Sequence, residues 1–176
     1  MIELHFDKYI IRSFKEDDAD SMSKNANDPE VSKYLRDSFP YPYTRENALQ
    51  WISFSKEQYS TLFLAIANKQ EVIGGIGAHP YSDVHRFTAE VGFWLGKEHW
   101  NKGIAFRALK IFCNYLFTKF DFNRLTANVF EGNEASKKVL EKCGFTLEGI
   151  HPGSVYKNGK FTTHYSYGLL KKDFNI

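Results

Sequence analysis

The sequence predicts a single α/β (α+β) domain: one mixed sheet of six to seven strands with helices packed on it. Three observations carry this. The chain has 176 residues, and one domain takes roughly 100–200. Apolar residues make up 43% and charged residues 25%, which suits a globular core and not a disordered chain. The apolar period switches along the chain to give the order β-α-α-α-β-β-β-α-β-α-β-β. That order mixes hairpins with two helical crossovers, and crossovers join parallel strands where hairpins join antiparallel ones.

Each element has a local cause. Residues 9–13 form the first strand. Residues 15–26 read as a helix with Glu16, Asp17 and Asp18 in its first turn, where the helix dipole favours acids. Asp28-Pro29 breaks it, and a short second helix covers 30–35. The stretch Ser38-Phe39-Pro40-Tyr41-Pro42-Tyr43 is irregular, because its prolines remove donors and fix φ. Thr44 is a good N-cap, and with Asn47 it lacks only the acid of a full capping box. The helix it opens runs to about Gln58. Strands 62–67 and 71–78 form a hairpin around Asn68-Lys69-Gln70.

Residues 87–95 alternate with period two. Phe87, Ala89, Val91, Phe93 and Leu95 share one face; Thr88, Glu90, Gly92 and Trp94 share the other. Gly92 in mid-strand suggests a bulge or a close backbone approach. Residues 103–120 give the strongest helix, with Ile104, Ala108, Ile111, Phe112, Tyr115 and Leu116 on one stripe. A strand at 125–130 leads to a helix at 134–143, capped by Asn133 and ended at Gly144. Strands 145–150 and 161–170 close the chain, linked through Lys157-Asn158-Gly159-Lys160.

Composition excludes several functions. The 23 basic and 21 acidic residues leave a net charge of +2, too balanced to indicate direct nucleic-acid binding. No run approaches the roughly 18 apolar residues of a membrane helix. The N-terminal stretch carries an acid at Glu3 and no apolar h-region, so no signal peptide is expected. Cys113 and Cys143 lack metal-ligand spacing and read as free thiols of a cytoplasmic protein. His79, His85 and His99 lack the pairing that a metal requires, so no metal is expected.

The chemically informative segment is 90–107, EVGFWLGKEHWNKGIAFR. A strand ends at Leu95-Gly96, and a short loop feeds a helix whose first turn holds Gly103 and Ala105. A helix start presents unpaired N–H groups and a positive dipole end, and small residues let an anion approach them. Lys102 and Arg107 add positive charge. This is the physics of a pyrophosphate site. No G-x-x-x-x-G-K-[ST] occurs, which excludes a P-loop. Gly75-Ile76-Gly77 starts like a dinucleotide fingerprint, but its sixth position is Pro80 and no helix follows; these glycines are expected to permit a bent hairpin strand. A second signal lies in Asn133-Glu134-Ala135-Ser136, which opens a helix closed by Leu140-Glu141-Lys142-Cys143-Gly144-Phe145.

Together these segments resemble the acetyl-CoA-binding half of the GNAT N-acetyltransferases. The family's loop, (Gln/Arg)-x-x-Gly-x-(Gly/Ala), has its counterpart in Trp100-Asn101-Lys102-Gly103-Ile104-Ala105. Trp100 departs from the Gln/Arg position; this is similar to the RimJ/RimL-type branch, whose loops often carry His-Trp before this glycine. Asn133-x-x-Ser136, Lys142-Cys143-Gly144-Phe145-x-x-Glu148-Gly149, and Ile11-Arg12 followed by acids resemble the same branch. The resemblance spans essentially the whole chain.

It implies a mostly antiparallel sheet splayed between strands 87–95 and 125–130, with the pantetheine arm in the wedge. The arm would pair with the backbone of Phe93 and Leu95, and a backbone N–H there would polarise the thioester carbonyl. The pyrophosphate would rest on amides of Asn101, Lys102, Gly103, Ile104 and Ala105, extending to Arg107. Asn133 would hold the pantetheine and Ser136 would face the thioester sulfur, the catalytic partner of Glu90 in the acceptor cleft. The plain readings stay open: Asn133 as a cap alone, Ser136 as a solvated hydroxyl, Glu90 as a surface carboxylate. Lys137 and Lys138 read as solvated, and Cys143 as packed beneath the last helix. Tyr34, Arg36, Tyr41, Tyr43 and Trp94 would form an aromatic, slightly basic acceptor rim.

The implied reaction is direct attack of a primary amine on acetyl-CoA in a ternary complex, without an acyl-enzyme. The expected acceptor is a protein or peptide N-terminal amine. The alternatives are a small amine or antibiotic, or a module that binds acetyl-CoA without catalysis. A homodimer is common among similar proteins.

Overall fold

The computed structural model describes residues 2–58 and 61–175. Its strands are β1 (Glu3–Phe6), β2 (Tyr9–Ser13), β3 (Leu62–Ala67), β4 (Val72–Pro80), β5 (Thr88–Leu95), β6 (Arg124–Phe130), β7 (Thr146–Lys157) and β8 (Lys160–Leu170). Its helices are α1 (Ala19–Ala26), α2 (Pro29–Ser32), α3 (Arg45–Glu57), α4 (Ile104–Lys119) and α5 (Glu134–Lys142). The strands make one sheet in the order β1-β2-β3-β4-β5-β6-β8-β7. Among the described residues, only the pairing of β5 with β6 is parallel.

The sheet has eight strands where the sequence predicted six to seven. The extra one is β1, which pairs with β2 across a turn at Asp7 with φ +46°. Leu4 and Phe6 alternate with Glu3 and His5 and rest on the core. The helix expected from 15 begins instead as a 3-10 turn at Glu16–Asp18 before α1. Asp18 causes this: its carboxylate accepts from the Lys15 N–H at 2.7 Å and from both terminal nitrogens of Arg12 at 2.7 and 2.8 Å. The pair is nearly buried. The following breaker is itself a cap: Asp28 accepts from the Glu30 N–H at 2.8 Å, and Pro29 takes the first helical position of α2. Thr44 and Asn47 close a reciprocal cap with the amide standing in for the acid.

Helix α4 spans one sheet face. Ile104, Ala108, Leu109, Phe112, Cys113, Leu116 and Phe117 are its buried side chains. Ile111 and Tyr115 are only partly covered, so the inward stripe is rotated from the predicted one toward Leu109, Cys113 and Phe117. They pack with Leu64, Ile66, Ala89, Val91, Leu125 and Tyr167. On the opposite face α1 and α3 cover Ala65, Ala67 and Val72. The alternation of Leu64 and Ile66 with Ala65 and Ala67 is the period-two signature of a sheet buried on both sides.

That second face is only partly covered. Cross-strand partners share a face, and the register runs Ala65–Gly75–Trp94 at one end, His79–Glu90–Thr126 and then Asn128–Ser166 and His151–His164 at the other. Helices α1 and α3 reach only the first part. The rest is a polar, uncovered stretch of sheet.

β7 runs on to Lys157 rather than ending at 150, through register shifts between Leu147 and Gly149 and between His151 and Val155. Pro152-Gly153 breaks the alternation there, which hid the continuation. The hairpin then turns at Asn158 (φ +53°) and Gly159 (φ +79°), a pair suited to a two-residue hairpin turn.

Candidate active site

The β5–β6 ladder consists of Thr88–Arg124, Ala89–Leu125 and Glu90–Thr126. Beyond Glu90 the strands part, so Phe93 and Leu95 face an open wedge. No bulge lies at Gly92: β5 keeps continuous register with β4 from Ala89 to Leu95. Nor does any group among the described residues approach Gly92 closely. A Cβ there would meet nothing within 4 Å, so its face is open space. The nearby Gly75 is needed for packing, since a Cβ on it would lie 2.6 Å from the Trp94 indole nitrogen.

The wedge opens into a cavity of about 320 Å³ lined by Phe93, Leu95, Asn101, Gly103, Ile104 and Ala105 on one side and Asn133 and Ser136 on the other. Asn101 (φ +58°) and Gly103 (φ +71°) are both left-handed, and they turn the loop directly into α4. The first N–H groups of α4 have no partner within the helix. The first turn of α4 also lacks an acid, so no side chain offsets the positive dipole end there.

Lys102 and Arg107 do not line this cavity. The Lys102 ammonium turns back to donate to the Glu98 carbonyl at 2.7 Å. Arg107 donates to the Lys102 carbonyl at 2.9 Å and pairs with Asp7 at 2.6 Å. Both brace the loop from outside. Trp100, which departed from the loop pattern, pins the end of β5 to the loop. Its indole N–H donates to the Leu95 carbonyl at 2.8 Å.

Asn133 caps α5, its side chain accepting from the Ser136 N–H at 3.2 Å. Both residues also line a second cavity, of about 370 Å³, on the polar sheet face. Glu90, Tyr34 and Arg36 line it too. A third, of about 200 Å³, lies under α1 and α3 and is lined by Arg36, Tyr43, Trp94 and Phe39. Phe93 and Leu35 border all three.

The acceptor-rim residues separate. Tyr34 sits at the junction, and Arg36 pairs with Glu90 at 2.8 Å. Glu90 is therefore half-buried beside a guanidinium rather than among aromatic rings. Trp94 stacks edge-on against Phe39 at 5.3 Å. Tyr43 is buried, packs on Phe39, and its phenol is pushed well above its ordinary pKa by burial. Tyr41 stays outside: it is exposed and borders a separate groove with Lys157, because Pro40 and Pro42 carry it away from the sheet. Lys137 is not solvated; it lies 3.6 Å over the Tyr165 ring and pairs with Glu134. Cys143 is buried against the Phe106 carbonyl, and burial pushes its thiol up to about 12.

Sequence reasoning missed the polar group on β7 and β8. His151 and His164 stack with ring centroids 4.3 Å apart, and Ser154 bonds to His164 Nδ1 at 2.7 Å. Their register pairing is set by the β7 shifts, which no local pattern announced. Among the described residues no cluster of three or more potential metal ligands occurs.

Residues 8–146 match the profile of the acetyltransferase (GNAT) domain. The chain is 31% identical over 180 residues to the uncharacterized N-acetyltransferase p20 of Bacillus licheniformis, covering 99% of each. In fold it is similar to the ribosomal-protein-S5-alanine acetyltransferase of Vibrio fischeri, with a TM-score of 0.83, 22% identity and 100% of both chains covered. It is equally similar to RimL, the ribosomal L7/L12 alpha-N-protein acetyltransferase solved with coenzyme A, with a TM-score of 0.83, 18% identity, and 94% and 95% covered. A loop that frees helix N–H groups beside a splayed β5, matched along most of the chain by the family profile, leads to one conclusion: this protein belongs to the GNAT family of acetyl-CoA-dependent acetyltransferases.

Proposed function

We propose that the protein moves the acetyl group of acetyl-CoA to the N-terminal amine of a protein or peptide by direct attack. One observation carries this reading: the wedge cavity and the polar-face cleft share the wall formed by Phe93, Asn133 and Ser136. A thioester in the first and an amine in the second meet there, which gives the effective molarity of an intramolecular reaction. The α4 start would hold the pyrophosphate through the amides of Asn101, Lys102, Gly103, Ile104 and Ala105. Phe93 and Leu95 would offer their backbone to pantetheine, with Asn133 as its second contact. Ser136 would hydrogen-bond the departing sulfur. Glu90, half-buried beside Arg36, would receive the acceptor's ammonium.

A peptide acceptor is supported by the openness of the cleft between the 34–36 loop and the β7–β8 hairpin, and by the named substrates of the S5 and L7/L12 enzymes that share the fold. An α-amine, with an ordinary pKa near roughly 7.7–8, also needs less help to lose its proton than a lysine near roughly 10.4. The free, buried thiols of Cys113 and Cys143 support a cytoplasmic setting. The test is a screen of peptides, polyamines and aminoglycosides with acetyl-CoA, reading released thiol. Peptides with free N-termini should turn over best; a preference for polyamines or aminoglycosides would refute the acceptor assignment.

A further inference from the structure

We propose that His164 is the base that takes the acceptor's proton, with Ser154 fixing its tautomer and Ser166 and His151 leading the proton to solvent. The proposal rests on the acetyl-transfer reading above and adds a catalytic residue to it.

The placement comes from the sheet. His164 lies on the same face as Glu90, Asn128 and Ser166 and, with Ser154, lines the cleft that also holds Ser136. Ser154 has one hydroxyl proton, and it donates this to the His151 carbonyl at 2.6 Å. Toward His164 Nδ1, 2.7 Å away, Ser154 Oγ is therefore an acceptor. Nδ1 carries the ring's hydrogen, and Nε2 of the neutral ring carries the lone pair. Ser166 Oγ stands 3.4 Å from that Nε2 and 2.9 Å from His151 Nε2. Its hydroxyl donates to Asn128 Oδ1 at 3.2 Å, so a proton passes on to His151 only when that hydroxyl turns from Asn128 to His151 Nε2. His151 is exposed, so this chain of atoms runs from the cleft to water.

The other candidate base is occupied. Glu90 is the sole carboxylate among the described residues that line this cleft, and it already pairs with Arg36 at 2.8 Å. Among the described residues, His151 from β7 and Glu90 from β5 act on His164, and Arg36 and the Tyr34 phenol of the 34–36 loop line the same cleft. Desolvation first, and the His151 ring second, hold the His164 imidazole below its ordinary pKa, against an opposing pull from Glu90. His164 is therefore neutral at neutral pH. Such a base is better matched to an α-ammonium, near roughly 7.7–8, than to a lysine near roughly 10.4.

The step balances. One N–H bond of the acceptor's ammonium breaks, and its proton passes to His164 Nε2. The freed nitrogen pair forms a C–N bond to the thioester carbonyl carbon, and the C–S bond breaks. The second nitrogen proton goes to the leaving thiolate, giving the N-acetylated acceptor and the thiol of coenzyme A. The imidazolium returns its proton to solvent by passing it to Ser166 Oγ as that hydroxyl turns from Asn128 and gives its own proton to His151 Nε2.

The test compares wild type with His164→Asn, whose amide keeps a donor for Ser154 but has no basic nitrogen. Both are assayed with a peptide whose sole amine is its N-terminus, at saturating acetyl-CoA. Wild-type kcat should hold as pH falls, declining only below about 6.5, the ordinary imidazole value. In the variant only free amine reacts, so the half-point should move up to the amine's own value near roughly 7.7–8. At a pH of about 6.5–7 kcat should drop about 6- to 30-fold, the inverse of the free-amine fraction, and recover toward wild type above a pH of about 9, well past the amine's value, with acetyl-CoA affinity and melting temperature unchanged. A variant profile that overlays wild type overturns the proposal. So does a wild-type half-point already at the amine's value, which needs no variant to fold. If wild type transfers acetyl to no amine at all, the parent reading falls and His164 falls with it; turnover with an unaltered profile refutes His164 alone.

Discussion

Gly103 gives the sharpest test of the cofactor site, because its backbone alone creates the helix start. Its φ of +71° is left-handed, a conformation that costs an L-residue about 1–2 kcal/mol. The space for a side chain is narrow but not closed: an added Cβ would lie 3.4 Å from Arg107 Nη1 and 3.6 Å from its Cζ. Arg107 is exposed and tied to Asp7 and the Lys102 carbonyl, so it yields by a few tenths of an ångström. Gly103→Ala should thus cost about 1–2 kcal/mol, or roughly 2–8 °C in melting temperature for a chain of this size. Gly103→Val, branched at Cβ, should force the loop out of the left-handed well and misdirect the N–H groups of α4. Its fold survives, since Gly103 itself is exposed and belongs to neither buried cluster. Acetyl-CoA at 100 times Kd stabilises a native protein by about 2.7 kcal/mol, and calorimetry with and without acetyl-CoA reads this directly. The ligand-induced rise should be clear in wild type, reduced in Gly103→Ala and lost in Gly103→Val, with affinity down more than about tenfold, or 1.4 kcal/mol. Wild-type acetyl-CoA affinity in Gly103→Val would refute the pyrophosphate assignment.

Asn133→Ala removes a helix cap and should cost about 1 kcal/mol of stability while also weakening acetyl-CoA binding; a stability loss with unchanged affinity by titration calorimetry would leave Asn133 as a cap alone. Ser136→Ala should leave acetyl-CoA affinity intact and lower kcat, measured by thiol release. Glu90→Gln should raise the KM for the amine and move the pH half-point down, since it removes the upward pull of Glu90 on His164; a half-point moved up to the amine's own value would make Glu90, not His164, the base. Asp18→Asn strips the partner from the nearly buried Arg12 and should cost about 3–5 kcal/mol, read as a lower urea midpoint with unchanged slope.

Much of the site was legible because its chemistry is local. The Gly103 turn, the Asn133 cap and the alternation of β5 each depend on neighbours within a few positions. Trp100 announced itself as a departure from the loop pattern, and the structure gives it the Leu95 carbonyl. The extra strand β1 was obscured by Glu3 and His5, whose polarity hid a short alternation that only pairing with β2 stabilises. Arg12 was visible as a residue beside acids, but its bidentate hold on Asp18 requires the chain to turn back upon itself.

The sequence by itself determined the element order from β2 onward, the loop that leads into the start of α4, and the face of β5 that carries Glu90 and Trp94, since turn chemistry, capping and period two act over a few residues. It could not place partners separated by long stretches of chain. Only the tertiary structure set Arg36 against Glu90 across 54 positions, turned Lys102 and Arg107 outward, carried Tyr41 away from the cleft, and stacked His151 on His164. Those contacts follow from strand register and loop path. Register here depends on bulges and on which faces the helices cover, both of which are decided by packing the whole sheet at once.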